Sequence, residues 1–117
     1  MKHLRKGKSM TFDEAVQLYR DIYKRFEIVE GKPWGAEGAT IELAKQVGDL
    51  SKLVMLKEGY YAACAKKPSD LDERIGDELA DIFGQIIRIA DFYHIDLEDV
   101  HIKARLGEDE YLKSMGV

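Results

Sequence analysis

Five side chains able to bind a metal or move a proton fall at helical spacing in two separate stretches of the chain. Glu78 and Asp81 lie within one helical turn of each other, at the margin of a run of apolar residues. Glu42, Gln46 and Asp49 share a second stripe that flanks Leu43, Val47, Leu50 and Val54. Two antiparallel helices packed through those apolar arcs would bring the two polar stripes together. The donors are then hard oxygens, a set that suits Mg²⁺ or Mn²⁺. The same acids also have a plainer reading as solvated helix flanks, paired with Lys45, Lys52 or Arg74 one turn away. Spacing alone leaves both readings open.

The elements that must position these residues are helices. Thr11 and Glu14 form a capping box, which opens a first helix from Phe12 to about Ile28. Val16, Leu18, Tyr19, Ile22, Tyr23 and Phe26 recur along it at helical spacing, and Gly31, Lys32 and Pro33 close it. A Gly-rich loop from Trp34 to Gly38 leads to a second helix, roughly Thr40 to Lys57. Gly59 to Lys67 either extends that helix or forms a connection before Pro68, with the helical reading leaning ahead. Ser69 or Asp70 caps a third helix, in which Leu71, Ile75, Leu79, Ile82, Ile86, Ile89 and Tyr93 form one long stripe ending near His94. Asp96, with Asp99 three residues on, caps a short fourth helix that Gly107 stops. No run alternates as a half-buried strand would. The class is therefore all-α, a four- to five-helix bundle with the second and third helices as an antiparallel pair. The apolar face of the third helix is wide for so small a chain, which favours helices shared across an oligomer.

A length of 117 residues leaves room for one domain, read as a flexible tail over 1–10 and a single helical domain over 11–117. Apolar residues at 45 % and charged residues at 34 % suit a compact chain with a densely charged surface. The formal net charge of −4 disfavours nucleic acid and anionic membranes as partners. The one basic cluster, Lys2, Arg5, Lys6 and Lys8, lies in the tail. A single cysteine, Cys64, excludes an internal disulfide and points to a reducing, cytoplasmic location. No stretch is apolar enough to span a bilayer, and the amino terminus lacks the apolar segment of a signal peptide.

At its acidic residues the chain resembles the MazG-like, all-α nucleoside triphosphate pyrophosphohydrolases. Leu43-Ala44-Lys45-Gln46-Val47-Gly48-Asp49-Leu50 looks like the helix that carries the Glu-Glu-x-x-Glu motif of that family. Asp77-Glu78-Leu79-Ala80-Asp81-Ile82 looks like its Glu-x-x-Asp motif, and Ile95 to Val100 with Lys103 and Tyr111 is similar to its closing segment. The resemblance covers Phe12 to Tyr111. It implies acids that bind Mg²⁺, which holds a nucleoside triphosphate and activates water for attack between the α and β phosphates. The products are a nucleoside monophosphate and pyrophosphate, as in house-cleaning of nucleotide pools. Glu78 and Asp81 match as metal ligands, and Asp49 stands in for the last Glu of the first motif. Lys45 and Gln46 replace its first two acids. A glutamine brings no charge and is no base at neutral pH. Glu42, one turn earlier, is the expected substitute as ligand or water-orienting base, so Glu42 and Gln46 are the catalytic candidates. Trp34 corresponds to a nucleobase contact and Lys103 to a phosphate contact, while Gly107 and Glu110 replace an Asn and a basic residue. The resemblance also implies a homodimer or homotetramer. The departures motivate an alternative, a degenerate MazG-like module of weak or no activity that binds a nucleotide or a partner. Phosphoribosyl-ATP pyrophosphohydrolase, with a related helix pair, fits Asp49-Leu50-Ser51-Lys52-Leu53 poorly.

Overall fold

The computed structural model of the chain describes residues 9–31, 34–61 and 67–117, and among these every regular element is an α-helix. The helices are α1 (Phe12–Glu30), α2 (Ala36–Lys57), α3 (Leu71–Phe92) and α4 (Leu97–Ser114). None of them is long and apolar enough to cross a membrane. The chain divides into two compact units, one ending at Trp34 and the other spanning Gly35–Val117. Most of the basic tail lies outside the described residues, as do Lys32, Pro33 and residues 62–66 with Cys64.

In the first unit, α1 starts where the capping box requires. The Glu14 backbone N–H donates to Thr11 Oγ1 at 3.0 Å, and the Thr11 N–H donates to Glu14 Oε1 at 2.8 Å. Gly31, at φ 76°, ends the helix in the left-handed conformation that a residue without a Cβ adopts freely. Tyr19 and Tyr23, one turn apart, meet at a tilt of 57° with ring centroids 5.6 Å apart.

The second unit is built on α2 and α3, the pair with extensive mutual contact among the described residues. Lys57 at the end of α2 is ion-paired with Asp72 in the first turn of α3, whereas Asp49, earlier on α2, acts electrostatically on Glu78, later on α3. Partners thus run in opposite order, and the helices are antiparallel. α2 begins at Ala36, one turn earlier than the Gly-rich loop suggested. Ala36 and Ala39 are good helix formers that are also buried, and Thr40 Oγ1 donates back to the Ala36 carbonyl at 2.8 Å. That gain outweighs the roughly 1 kcal/mol that Gly38 costs inside a helix. At its other end, Gly59 (φ 84°) and the Tyr60 N–H bonded to Met55 O close α2. Gly59 to Tyr61 is therefore a turn, so this part of the segment takes the connection reading over the helical one toward which it leaned.

The apolar arcs are narrower than their periodicity suggested. On α3, Leu71 is buried and Ile75, Ile82 and Ile89 are half-buried, but Leu79, Ile86 and Tyr93 are exposed. On α2, Val47 and Val54 are likewise exposed while Gln46 is buried. One neighbouring helix covers only a limited arc, and a seam centred on Gln46 leaves Val47, one 100° step further round, outside it. From Gly84 to Ala90, α3 also buries Gln85, Ile87 and Arg88. Asp96 caps α4 as expected, its Oδ1 accepting from the Asp99 N–H at 3.0 Å. Gly107 does not stop that helix, which continues to Ser114. Ion pairs one turn apart, Arg105 with Glu108 and Lys113 with Asp109, support the added turns.

Ile87 is only 2 % exposed, so Ile87→Ala should destabilise the fold by roughly 2–4 kcal/mol in urea denaturation. Ile28→Ala, at an 80 % exposed position, should stay within about 0.5 kcal/mol of the parent.

Candidate functional site

α2 carries Glu42, Lys45, Gln46 and Asp49 over two successive turns. Gln46 Nε2 donates to Glu42 Oε2 at 3.2 Å, which fixes the carboxylate one turn back. The amide must turn its nitrogen to that carboxylate, so its oxygen is left facing away. Gln46 Oε1 is buried without a hydrogen-bond donor. Lys45 Nζ lies 3.6 Å from Glu42 Oε2 and 3.5 Å from Asp49 Oδ2. Glu42 and Asp49 together hold its ammonium above the ordinary lysine pKa, Glu42 contributing most.

α3 presents Glu78 and Asp81 to the same edge. Burial, followed by the negative charges of Asp49 and Asp81, raises the carboxyl of Glu78 above the ordinary glutamate pKa, and Lys45 opposes the shift. Asp49 and Lys45 belong to α2, so the two acidic stripes are brought within electrostatic reach across the seam. Glu78 Oε1 is buried and, like Gln46 Oε1, accepts no hydrogen bond. The plainer reading of the acids holds in part. Lys45 pairs with two of them, and Arg74 Nε pairs with Asp70 Oδ2 at 3.0 Å. Among the described residues, no three His, Cys, Asp or Glu side chains are grouped closely enough to hold a metal ion as they stand.

Two sequence-derived candidates lie elsewhere. Lys103 sits on α4 and pairs with Asp99 at 3.0 Å, beside a shallow depression formed with Gly107, Glu108 and Tyr111. α4 has no contact with α2 or α3 comparable to theirs with each other. Trp34 is half-buried and closes the amino-terminal unit.

Two buried polar residues escaped the sequence reading, Gln85 and Arg88. Their signal was present. Gln85 follows Glu78 by seven residues and Arg88 follows Asp81 by seven, so each repeats the position of an acid two turns further along α3. Gln85 Oε1 is a third buried acceptor without a donor. Comparison of the chain with protein-family models, with curated proteins and with solved structures finds no match, so the chemistry of this edge rests on its own geometry.

The raised pKa of Glu78 makes stability depend on pH. The folded chain holds this proton more tightly than the unfolded chain, so the contribution is full below the ordinary value of 4.5 and is lost as pH rises through the raised value. Glu78→Gln should therefore melt close to the parent in acid and at higher temperature than the parent near neutrality. Thermal melts in chelator-buffered solution over that range read the difference, and a gap that does not change with pH would contradict the assignment.

Proposed function

We propose that the chain is a MazG-like nucleoside triphosphate pyrophosphohydrolase, dependent on Mg²⁺ or Mn²⁺, that releases a nucleoside monophosphate and pyrophosphate. The observation that carries this reading is the buried Glu78 Oε1 without a donor on α3, on which the negative charges of Asp49 on α2 and of Asp81 act. Hard carboxylate oxygens from two rigid helices fit a divalent cation in chemical type, and the donorless Glu78 Oε1 is an acceptor awaiting a positive partner. Asp49, Glu78 and Asp81 would hold the ion, which supplies charge neutralisation of the polyphosphate and Lewis acidity. Glu42 is the carboxylate left to orient water. Gln46, by donating to Glu42 Oε2, is its positioning residue. The base and phosphate contacts that the resemblance assigns to Trp34 and Lys103 stay expectations of the sequence, and the reading does not rest on them.

A homodimer or homotetramer belongs to the same reading. At 100° per residue, Val47 and Val54 on α2 and Leu79 and Ile86 on α3 lie on the far side of the seam from Asp49 and Asp81, and all four are exposed. A second copy covering this edge would leave the acids open to substrate. The lone Cys64 and the acidic net charge favour a cytoplasmic setting with no nucleic-acid partner.

The second reading, a degenerate module that binds a nucleotide or a partner, draws on the burial of the uncharged Gln46 and on the pairing of Lys45 with Glu42 and Asp49. Pyrophosphate release from each common ribo- and deoxyribonucleoside triphosphate with Mg²⁺ separates the two. Turnover that falls at least about a hundredfold in Asp81→Ala supports the enzyme. No turnover in the parent, with activity appearing in Gln46→Glu, supports the degenerate module. Light scattering should show a dimer or tetramer, and the double variant Leu79→Glu, Ile86→Glu should be a monomer of the same helicity.

A further inference from the structure

We propose that α4 is the contact through which two dimers of this chain join into a tetramer, each α4 lying antiparallel to α4 of a second copy across a two-fold axis between Ala104 and Gly107. The inference rests on the dimer proposed at the α2–α3 edge and assigns the step from dimer to tetramer to a different surface.

α4 is a helix without a core of its own. It spans 18 residues, none of them buried, and from Glu98 onward every residue is exposed. A helix of that length is marginal in water by itself, because helices in folded proteins take most of their stability from packing an apolar face. Its ion pairs, Asp99–Lys103, Arg105–Glu108 and Asp109–Lys113, lie in solvent and add little. The face that needs cover is marked by spacing. Leu97, Val100, Ala104, Gly107 and Tyr111 step by three, four, three and four residues and so form one stripe. Val100 is 44 % and Tyr111 64 % exposed, and a side chain built at Gly107 would meet nothing in its own chain.

Charge selects a second copy as the occupant. Lys103 and Glu110 border the stripe on one side, and His101 and Glu108 border it on the other. In an antiparallel pair centred between Ala104 and Gly107, Lys103 lies opposite Glu110 of the second copy and His101 opposite its Glu108, and each pairing occurs twice. Glu110 has no ion pair within its own chain among the described residues. The same register sets Ala104 against Gly107, where the backbones approach closely, and Val100 against the larger Tyr111. Each α2–α3 pair is joined to the amino end of its α4, so antiparallel pairing places the two at opposite ends, whereas parallel pairing would crowd them together. Nucleic acid or an anionic surface would instead meet Glu108, Asp109 and Glu110. The helix has only about two and a half heptads, too few for one pair to hold two chains together. Two such contacts between dimers reinforce each other, in a tetramer of dihedral symmetry.

The test is sedimentation velocity of the full chain at micromolar concentration. The parent should be a tetramer. Lys103→Glu and Glu110→Lys each set like charges opposite one another, so each should raise the tetramer-to-dimer dissociation constant at least about tenfold with helicity unchanged. An equal mixture of the two variants restores opposite charges to every pair and should recover the tetramer. Amide hydrogen exchange along α4 should be slow in the parent and at least about tenfold faster in either variant alone. A tetramer or a dimer that neither variant weakens, a mixture that stays dimeric, or α4 protection that persists in the variants overturns the α4 pairing and leaves the α2–α3 dimer standing. A parent dimer that either variant takes apart overturns the tetramer role, since α4 would then be the dimer contact itself. A monomeric parent overturns both.

Discussion

Antiparallel packing of α2 against α3 is the constraint on which the charged edge depends. The seam is lined by small and half-buried side chains, with Ala39 nearly inaccessible on α2 and Leu71 buried on α3. Each helix is long and regular, so fixing the seam fixes the height and direction of every residue along it. Lys57 and Asp72 pair near the turn, and the charge of Asp49 acts on Glu78 further in. The helix arc that packs determines which side chains remain at its border. On α2 the border residues are Glu42 and Asp49, and on α3 the border residue is Asp81.

Burial of polar groups inside this seam has a cost that apolar residues would avoid. An unpaired acceptor removed from water costs on the order of 1–3 kcal/mol, and Gln46, Glu78 and Gln85 each leave one such oxygen. Apolar residues at those places would pack with less penalty. The seam therefore carries polar side chains that add less to its cohesion than apolar ones would. Lys45 moderates the same edge from outside, where solvent screening keeps its hold on Glu42 and Asp49 loose.

Much of this was legible along the chain. The caps at Thr11 and Asp96 depend on hydrogen bonds between residues three apart, and each forms as its local sequence dictates. The helical class, and the long helices around Glu42–Asp49 and Glu78–Asp81, follow from periodicities that persist over many turns. Helix ends were less secure. Gly38 and Gly107 carry the signature of breakers, yet both lie within helices, because the neighbouring turns supply more than one glycine removes.

The sequence by itself determined that the chain is helical, where its strongest caps fall, and that acids line two of its helices. Tertiary structure alone decided which side of each helix turns inward. Gln46 and Val47 are adjacent, and a rotation of one residue exchanges a buried valine for a buried amide without altering the periodicity of either. Periodicity defines an arc, and the neighbour chooses its centre. That choice placed Glu78 in the seam instead of beside it, set it within reach of the charge of Asp49 on another helix, and left Leu79 and Ile86 uncovered on the opposite edge.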